Sequence, residues 1–166
     1  MLRTFLLSIT LLFMPMTSVV WAQFANGRAL AGLEEIGVIV AEVHPDAAQR
    51  GLSRGALQQG VEKQLQAAGM RIVTGPNGKG LEKPLLYLAV GVTPLDQFPV
   101  YSVNVSLQLR QSACLERNLV ICTPTVTWEE TGLARAVDVS ELASIQRDVQ
   151  SLVKRFTTAY REENQR

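Results

Sequence analysis

The stretch ACLERNLVIC, residues 113 to 122, holds the chain's two cysteines, Cys114 and Cys122. Two thiols eight positions apart can bind a metal, exchange electrons or close a loop. A metal site needs further thiolate or imidazole ligands, and the sole histidine, His44, stands far away in sequence. Redox pairs favour the tighter C-x-x-C spacing. A structural disulfide is therefore the leading reading and a pair of free thiols the alternative; the compartment decides between them.

Other residues invite chemistry less strongly. His44 and Asp46 lie close together in HPD and could serve a hydrolase, but no nucleophile elbow or metal-binding helix motif accompanies them. They read as a polar turn that stops a strand. GPNGKG, residues 75 to 80, has the glycines and lysine of a phosphate loop with the wrong spacing. Pro76 also removes an amide that such a nest would use. Glu34 with Glu35 and Glu129 with Glu130 read as solvated strand ends. NVS at 104 to 106 matches a glycosylation sequon but falls inside a strand pattern. No catalytic residue, metal site or cofactor is expected from these patterns.

The compartment is written at the amino terminus. MLRTFLLSITLLFMPMTSVVWAQ carries Arg3, an apolar run from Phe5 to Phe13, a break at Pro15 and small residues near Ala22. That order is a secretory signal peptide, residues 1 to 22, cleaved after Ala22. The run is too short for the roughly 20 residues that span a bilayer, so no stable membrane span is expected after cleavage. A periplasmic or secreted location follows, and in an oxidising compartment paired cysteines become disulfides.

Composition narrows the function classes further. The chain has 16 Lys and Arg against 15 Asp and Glu, and Arg3 is the only charge in the first 22 residues, so the remainder is neutral. A neutral exported domain lacks the basic surface that dominates nucleic-acid affinity, and no nucleic-acid partner is expected. Residues 23 to 33, rich in small residues, read as a flexible lead-in, and 34 to 166 as a single domain.

Several elements must position these groups. IGVIVAEV, from Ile36, is apolar at both parities, as in a central strand. Ser53 caps a helix over 53 to 68 with Leu57, Val61 and Leu65 on one face and Gly69 to close it. Gly55 and Gly60 each cost that helix about 1 kcal/mol against alanine. A short strand follows at Met70 to Thr74, and a longer one at Leu85 to Thr93. In YSVNVSLQLR, Tyr101, Val103, Val105, Leu107 and Leu109 alternate without exception with Ser102, Asn104, Ser106, Gln108 and Arg110. Such alternation places one face on a core and leaves one face wet. Val120 to Glu129 completes the strands, with Pro124 marking an edge or a bulge. Asp138 with Glu141 forms a capping box, and Val137 with Leu142 a staple, for a final helix over 139 to 160.

The cysteines flank the turn between the last two long strands. Pairing them sets Arg110 against Val126, a clash of parity that a bulge at Pro124 resolves. Both sulfurs then lie on the open face of the sheet. The whole pattern is α+β: a four- or five-stranded, mainly antiparallel sheet with two helices packed on one face.

From IGVIVAEV through LSRGALQQGVEKQLQAAGMRIV to LASIQRDVQSLVKRF, the order of elements behind a signal peptide resembles the small α+β domains of bacterial envelope accessory proteins. The lipopolysaccharide-assembly lipoprotein and auxiliary components of envelope ABC transporters are examples. This chain has no cysteine at its cleavage point to acylate. Export, neutral charge and the absence of catalytic groups, with an open sheet face rich in Ser, Asn and Gln, point to a non-enzymatic periplasmic protein that binds another envelope component. Ser102, Asn104, Ser106, Gln108 and Arg110 on the open sheet face are the expected binding residues. A binder of a small or amphipathic ligand between helices and sheet, and a hydrolase using His44 and Asp46, are the alternatives.

Overall fold

The computed structural model describes residues 28–73, 83–95 and 97–165. The signal peptide and the GPNGKG loop lie outside the described residues. The fold is α+β, as the sequence pattern predicts. Strand β1 (Glu35–Val40) leads through helix α1 (Pro45–Gln49) and helix α2 (Arg54–Ala67) to the two-residue strand β2 (Arg71–Ile72). Then come β3 (Leu85–Pro94), β4 (Val100–Leu115), β5 (Asn118–Thr131), β6 (Arg135–Asp138), a 3-10 turn (Val139–Glu141) and helix α3 (Ala143–Asn164). No helix among the described residues is long and apolar enough to cross a membrane.

The sheet runs β2-β1-β3-β4-β5, and β6 also pairs with β4. Pairs β3 with β4, β4 with β5 and β4 with β6 are antiparallel; β1 is parallel to β2 and β3. β1 is interior because a parallel neighbour flanks it on each side, which explains its apolar run. β5 and β6 lie end to end along one flank of β4, opposite residues 106–115 and 100–103.

Period-two alternation on β4 becomes burial. Tyr101, Val103, Val105, Leu107 and Leu109 are all buried, as are Leu86, Leu88, Val90 and Val92 of β3 and Ile36, Val38 and Val40 of β1. Two long helices roof this side, with α2 over β1 and β2 and α3 over β4 and β5. Leu57, Val61 and Leu65 descend from α2; Ile145, Val149, Leu152, Val153 and Phe156 descend from α3. Trp128 of β5 meets Phe156 edge-on with ring centres 4.9 Å apart, an arrangement favoured by the aromatic quadrupole.

Helix ends follow local chemistry. Ser53 Oγ accepts from the Ala56 amide at 3.4 Å. Gly69, at φ +93, lets the Met70 amide reach back to the Leu65 carbonyl, a Schellman closure that a side chain at Gly69 would strain. The other expected cap forms differently. Asp138 accepts from the Ser140 amide and hydroxyl at 2.8 and 2.6 Å, capping the 3-10 turn, and α3 proper starts at Ala143. The staple residues Val137 and Leu142 are both buried.

Two further details depart from the sequence expectation. Residues 28 to 33, expected within a flexible lead-in, make a turn whose Leu30 is fully buried. Asn164 holds it, accepting from the Gly32 amide at 2.8 Å and donating to the Leu30 carbonyl at 2.9 Å. The β5 bulge falls at Thr127 rather than Pro124: Leu109 pairs with Trp128 and Arg110 with Val126, skipping one residue. Thr127 Oγ1 accepts from Gln111 Nε2 at 2.8 Å and donates to the Leu109 carbonyl at 3.4 Å, so side chains bond across the irregularity. Pro124 pairs in register with Ser112 on the edge strand, where a missing amide is tolerated.

Candidate functional site

Ser102, Asn104, Ser106, Gln108 and Arg110 occupy alternate positions of β4, on the face turned away from the helices. Ser102 and Asn104 are exposed, and Ser106, Gln108 and Arg110 are half-buried. Register sets Thr93, Gly91, Ala89, Tyr87 and Leu85 of β3 beside them in turn.

At the β4 carboxyl-terminal end these side chains are already ordered. The Arg110 guanidinium sits 4.0 Å from the centre of the Tyr87 ring, a cation-π stack. Its Nη2 donates to Gln108 Oε1 at 2.8 Å, and Gln108 Nε2 donates to Glu129 Oε1 at 2.9 Å. Tyr87, Arg110, Gln108 and Glu129 therefore form one continuous array across three strands. At the other end the Asn104 side chain crosses Gly91 so closely that a Cβ there would lie 1.9 Å from Oδ1. Glycine makes that approach possible.

Tyr87 and Glu129 were not among the expected binding residues. Their parity is legible in the sequence, but their cross-strand neighbours depend on register: that of β3 with β4 for Tyr87, and that of β4 with β5, which shifts at the Thr127 bulge, for Glu129.

Cys114 and Cys122 face one another in the β4–β5 ladder with Cα atoms 3.9 Å apart, and their sulfurs are bonded. Both residues are exposed. Counting by twos from Arg110 through Ser112 places Cys114 on the open face, as the parity argument required.

His44 and Asp46 stand at the start of α1 in structural roles. His44 Nδ1 accepts from the Asp46 amide at 3.3 Å, capping α1. The Asp46 carboxylate accepts from the Tyr101 hydroxyl and from Arg50 Nε at 3.4 Å. The Tyr101 hydroxyl is the main influence holding that carboxyl below its usual range, with Arg50 reinforcing it. The same bond pushes the Tyr101 phenol up. Asp46 thus ties α1 to a buried strand residue instead of orienting the imidazole.

Among the acidic pairs, Glu35 is not simply solvated. Lys83 Nζ at 3.0 Å and Arg71 Nη2 at 2.6 Å reach it, and Lys83 foremost keeps its carboxyl below the ordinary range. Glu130 pairs with Arg155 at 2.6 Å, joining β5 to α3. Between α2 and α3 lie a tight cleft of about 40 Å³, lined by Leu57, Gly60, Val61, Gln64, Val149 and Val153, far below the roughly 300 Å³ of a small-ligand pocket, and an open groove of about 510 Å³ lined by helix residues such as Gln64, Ala67, Arg147, Gln150 and Lys154. Among the described residues no three His, Cys, Asp or Glu side chains converge to hold a metal.

No protein-family model and no curated protein matches the sequence. Among solved structures, the chain is similar to PelC from Paraburkholderia phytofirmans, seen as a dodecamer in two crystal forms. A single-substitution variant in space group C2 is 19% identical with a TM-score of 0.43, covering 78% of this chain and 89% of that one. The dodecamer in space group P6 is 20% identical with a TM-score of 0.40, covering 78% of this chain and 87% of that one.

Proposed function

We propose that this chain is an exported, non-enzymatic envelope protein that binds another envelope protein through the open face of its sheet. The observation that carries this reading is the Tyr87-Arg110-Gln108-Glu129 array. It is polar, held in place by its own hydrogen bonds and left uncovered by the helices. Side chains ordered before binding lose less entropy on contact. An aromatic ring and an arginine side by side are also the residue types that anchor protein interfaces. Arg110 has no carboxylate partner among the described residues, so a partner carboxylate can take its remaining donors.

The test places a photo-crosslinking residue at Ser106 and exposes exporting cells to light. One discrete adduct is expected, lost when Arg110→Ala is added. No adduct, or one indifferent to Arg110, removes the open face as the binding surface.

The tight α2–α3 cleft is too small for an amphipathic ligand, the larger groove is open and lined by helix residues alone rather than by helices and sheet, and the carboxylate that a His44 hydrolase needs is engaged by Tyr101. None of these observations favours those alternatives.

A further inference from the structure

Past Arg110 and Val126 the β4–β5 hairpin leaves the body of the molecule. No residue from Arg110 to Thr127 is fully buried, and β3 stops at Leu85, opposite Arg110. Near the end of this arm the ladder jumps from the Cys114–Cys122 pair to Leu115–Asn118, so Leu119, Val120 and Ile121 loop out without partners on β4. They are 73%, 91% and 50% exposed. The disulfide closes the loop behind them. From Asn118 to Trp128 the chain carries no charge.

We infer that this disulfide-braced loop, Leu119 to Ile121, is a membrane-surface contact that dips into the interfacial region of a lipid bilayer. Strand addition is the other common use of an exposed hairpin, but the outer flank of β5 is interrupted three times: by the looped-out residues, by Pro124 and by the Thr127 bulge. Such interruptions prevent edge pairing. The side chains, not the backbone edge, are what the arm offers. The Val120 amide is met within the chain by Asn118 Oδ1 at 3.2 Å, which lowers the cost of taking the loop out of water. Glu116 and Arg117 at the turn cancel in charge and can remain among the head groups.

Gln111 donates to the Ala29 carbonyl at 2.9 Å. Ala29, among the first described residues, therefore lies beside the root of the arm. The inference borrows from the proposed function only the presence of a bilayer; vesicle binding is measured with no protein partner, so each idea can fail alone.

The exported protein is purified, its amino terminus is read by mass spectrometry, and it is mixed with vesicles of phosphatidylethanolamine and phosphatidylglycerol. Co-sedimentation is expected, weakened on the order of 100-fold by the triple substitution Leu119→Ser, Val120→Ser, Ile121→Ser. Leu133→Ser, at a 90% exposed leucine away from the arm, should leave binding unchanged. All four positions are exposed, and circular dichroism checks the fold. A Val120→Trp variant should show blue-shifted emission on vesicle addition. Equal sedimentation of the native and triple-serine proteins, absence of vesicle binding, or unshifted Val120→Trp emission overturns the assignment.

Discussion

Gly60 lies midway along α2, exposed at the edge of the α2–α3 cleft, and nothing stands within 4 Å of where its Cβ would be. Alanine there meets no clash and restricts the unfolded chain, so Gly60→Ala should stabilise by about 1 kcal/mol. A thermal melt checks it, and a lower midpoint would mean that the helix needs the flexibility. The Asp46–Tyr101 bond makes a second prediction at this scale, with a sign for each partner. The Asp46 carboxyl is lowered, so its contribution is complete above its unfolded value of about 4 and is lost as pH falls through the lowered folded value. The Tyr101 phenol is raised, so its contribution is complete below about 10 and is lost as pH climbs through the raised value. Tyr101→Phe removes both and should lower stability near neutrality. Denaturant titrations across pH should show the variant converging on the native protein at both extremes. A gap that stays constant with pH would mean that the two groups do not share a proton-linked bond.

Strands and helices carry the next level of argument. β5 is fastened to the roof by Trp128, 5% exposed and edge-on to Phe156. Trp128→Ala should cost about 3–5 kcal/mol, measured by urea denaturation; a loss under about 1 kcal/mol would show that the core does not depend on this pair. The disulfide works differently, because it closes a short loop outside the core. Its removal by Cys114→Ser with Cys122→Ser should cost about 2.5 kcal/mol on the chain-entropy model and leave the near-ultraviolet signal of Trp128 unchanged. Intact mass should fall by two hydrogens relative to the reduced chain. Legibility also divides at this scale. The alternation in YSVNVSLQLR names the covered and open sides of β4 with no knowledge of its neighbours, because period two is local. HPDAAQ reads as a turn because five residues are too few to show helical period. The sequence points to a bulge at Pro124 because proline is visible there, whereas the bonds of Thr127 to Gln111 and Leu109 exist only once the strands are paired. Tyr87 and Arg110 illustrate the same limit at the candidate site: each side is legible, their meeting is not.

For the whole molecule, the uneven distribution of buried contacts sets which parts open first. β4 up to Leu109 and β3 from Leu85 to Leu88 have neighbours on both flanks and helices on one face, so their amides should exchange with solvent only through global unfolding. The amino-terminal turn is tied to the far end of the chain by Asn164, and Arg161 Nη2 donates to the Ala67 carbonyl at 3.3 Å, joining the end of α3 to the end of α2. These closing contacts tie residues 28 to 33 and the helix ends into one cooperative unit. The arm from Gln111 to Val126 has no fully buried side chain and is held mainly by its own ladder and the disulfide. Hydrogen exchange followed by mass spectrometry should therefore give two classes: slow amides over Leu86 to Leu88 and Tyr101 to Leu109, and much faster ones over Ser112 to Val126. Reduction should accelerate the second class and spare the first. Arm amides as slow as those of β3 in the isolated protein would mean that the hairpin is packed against the body after all, and a segment so packed could not reach out to a bilayer.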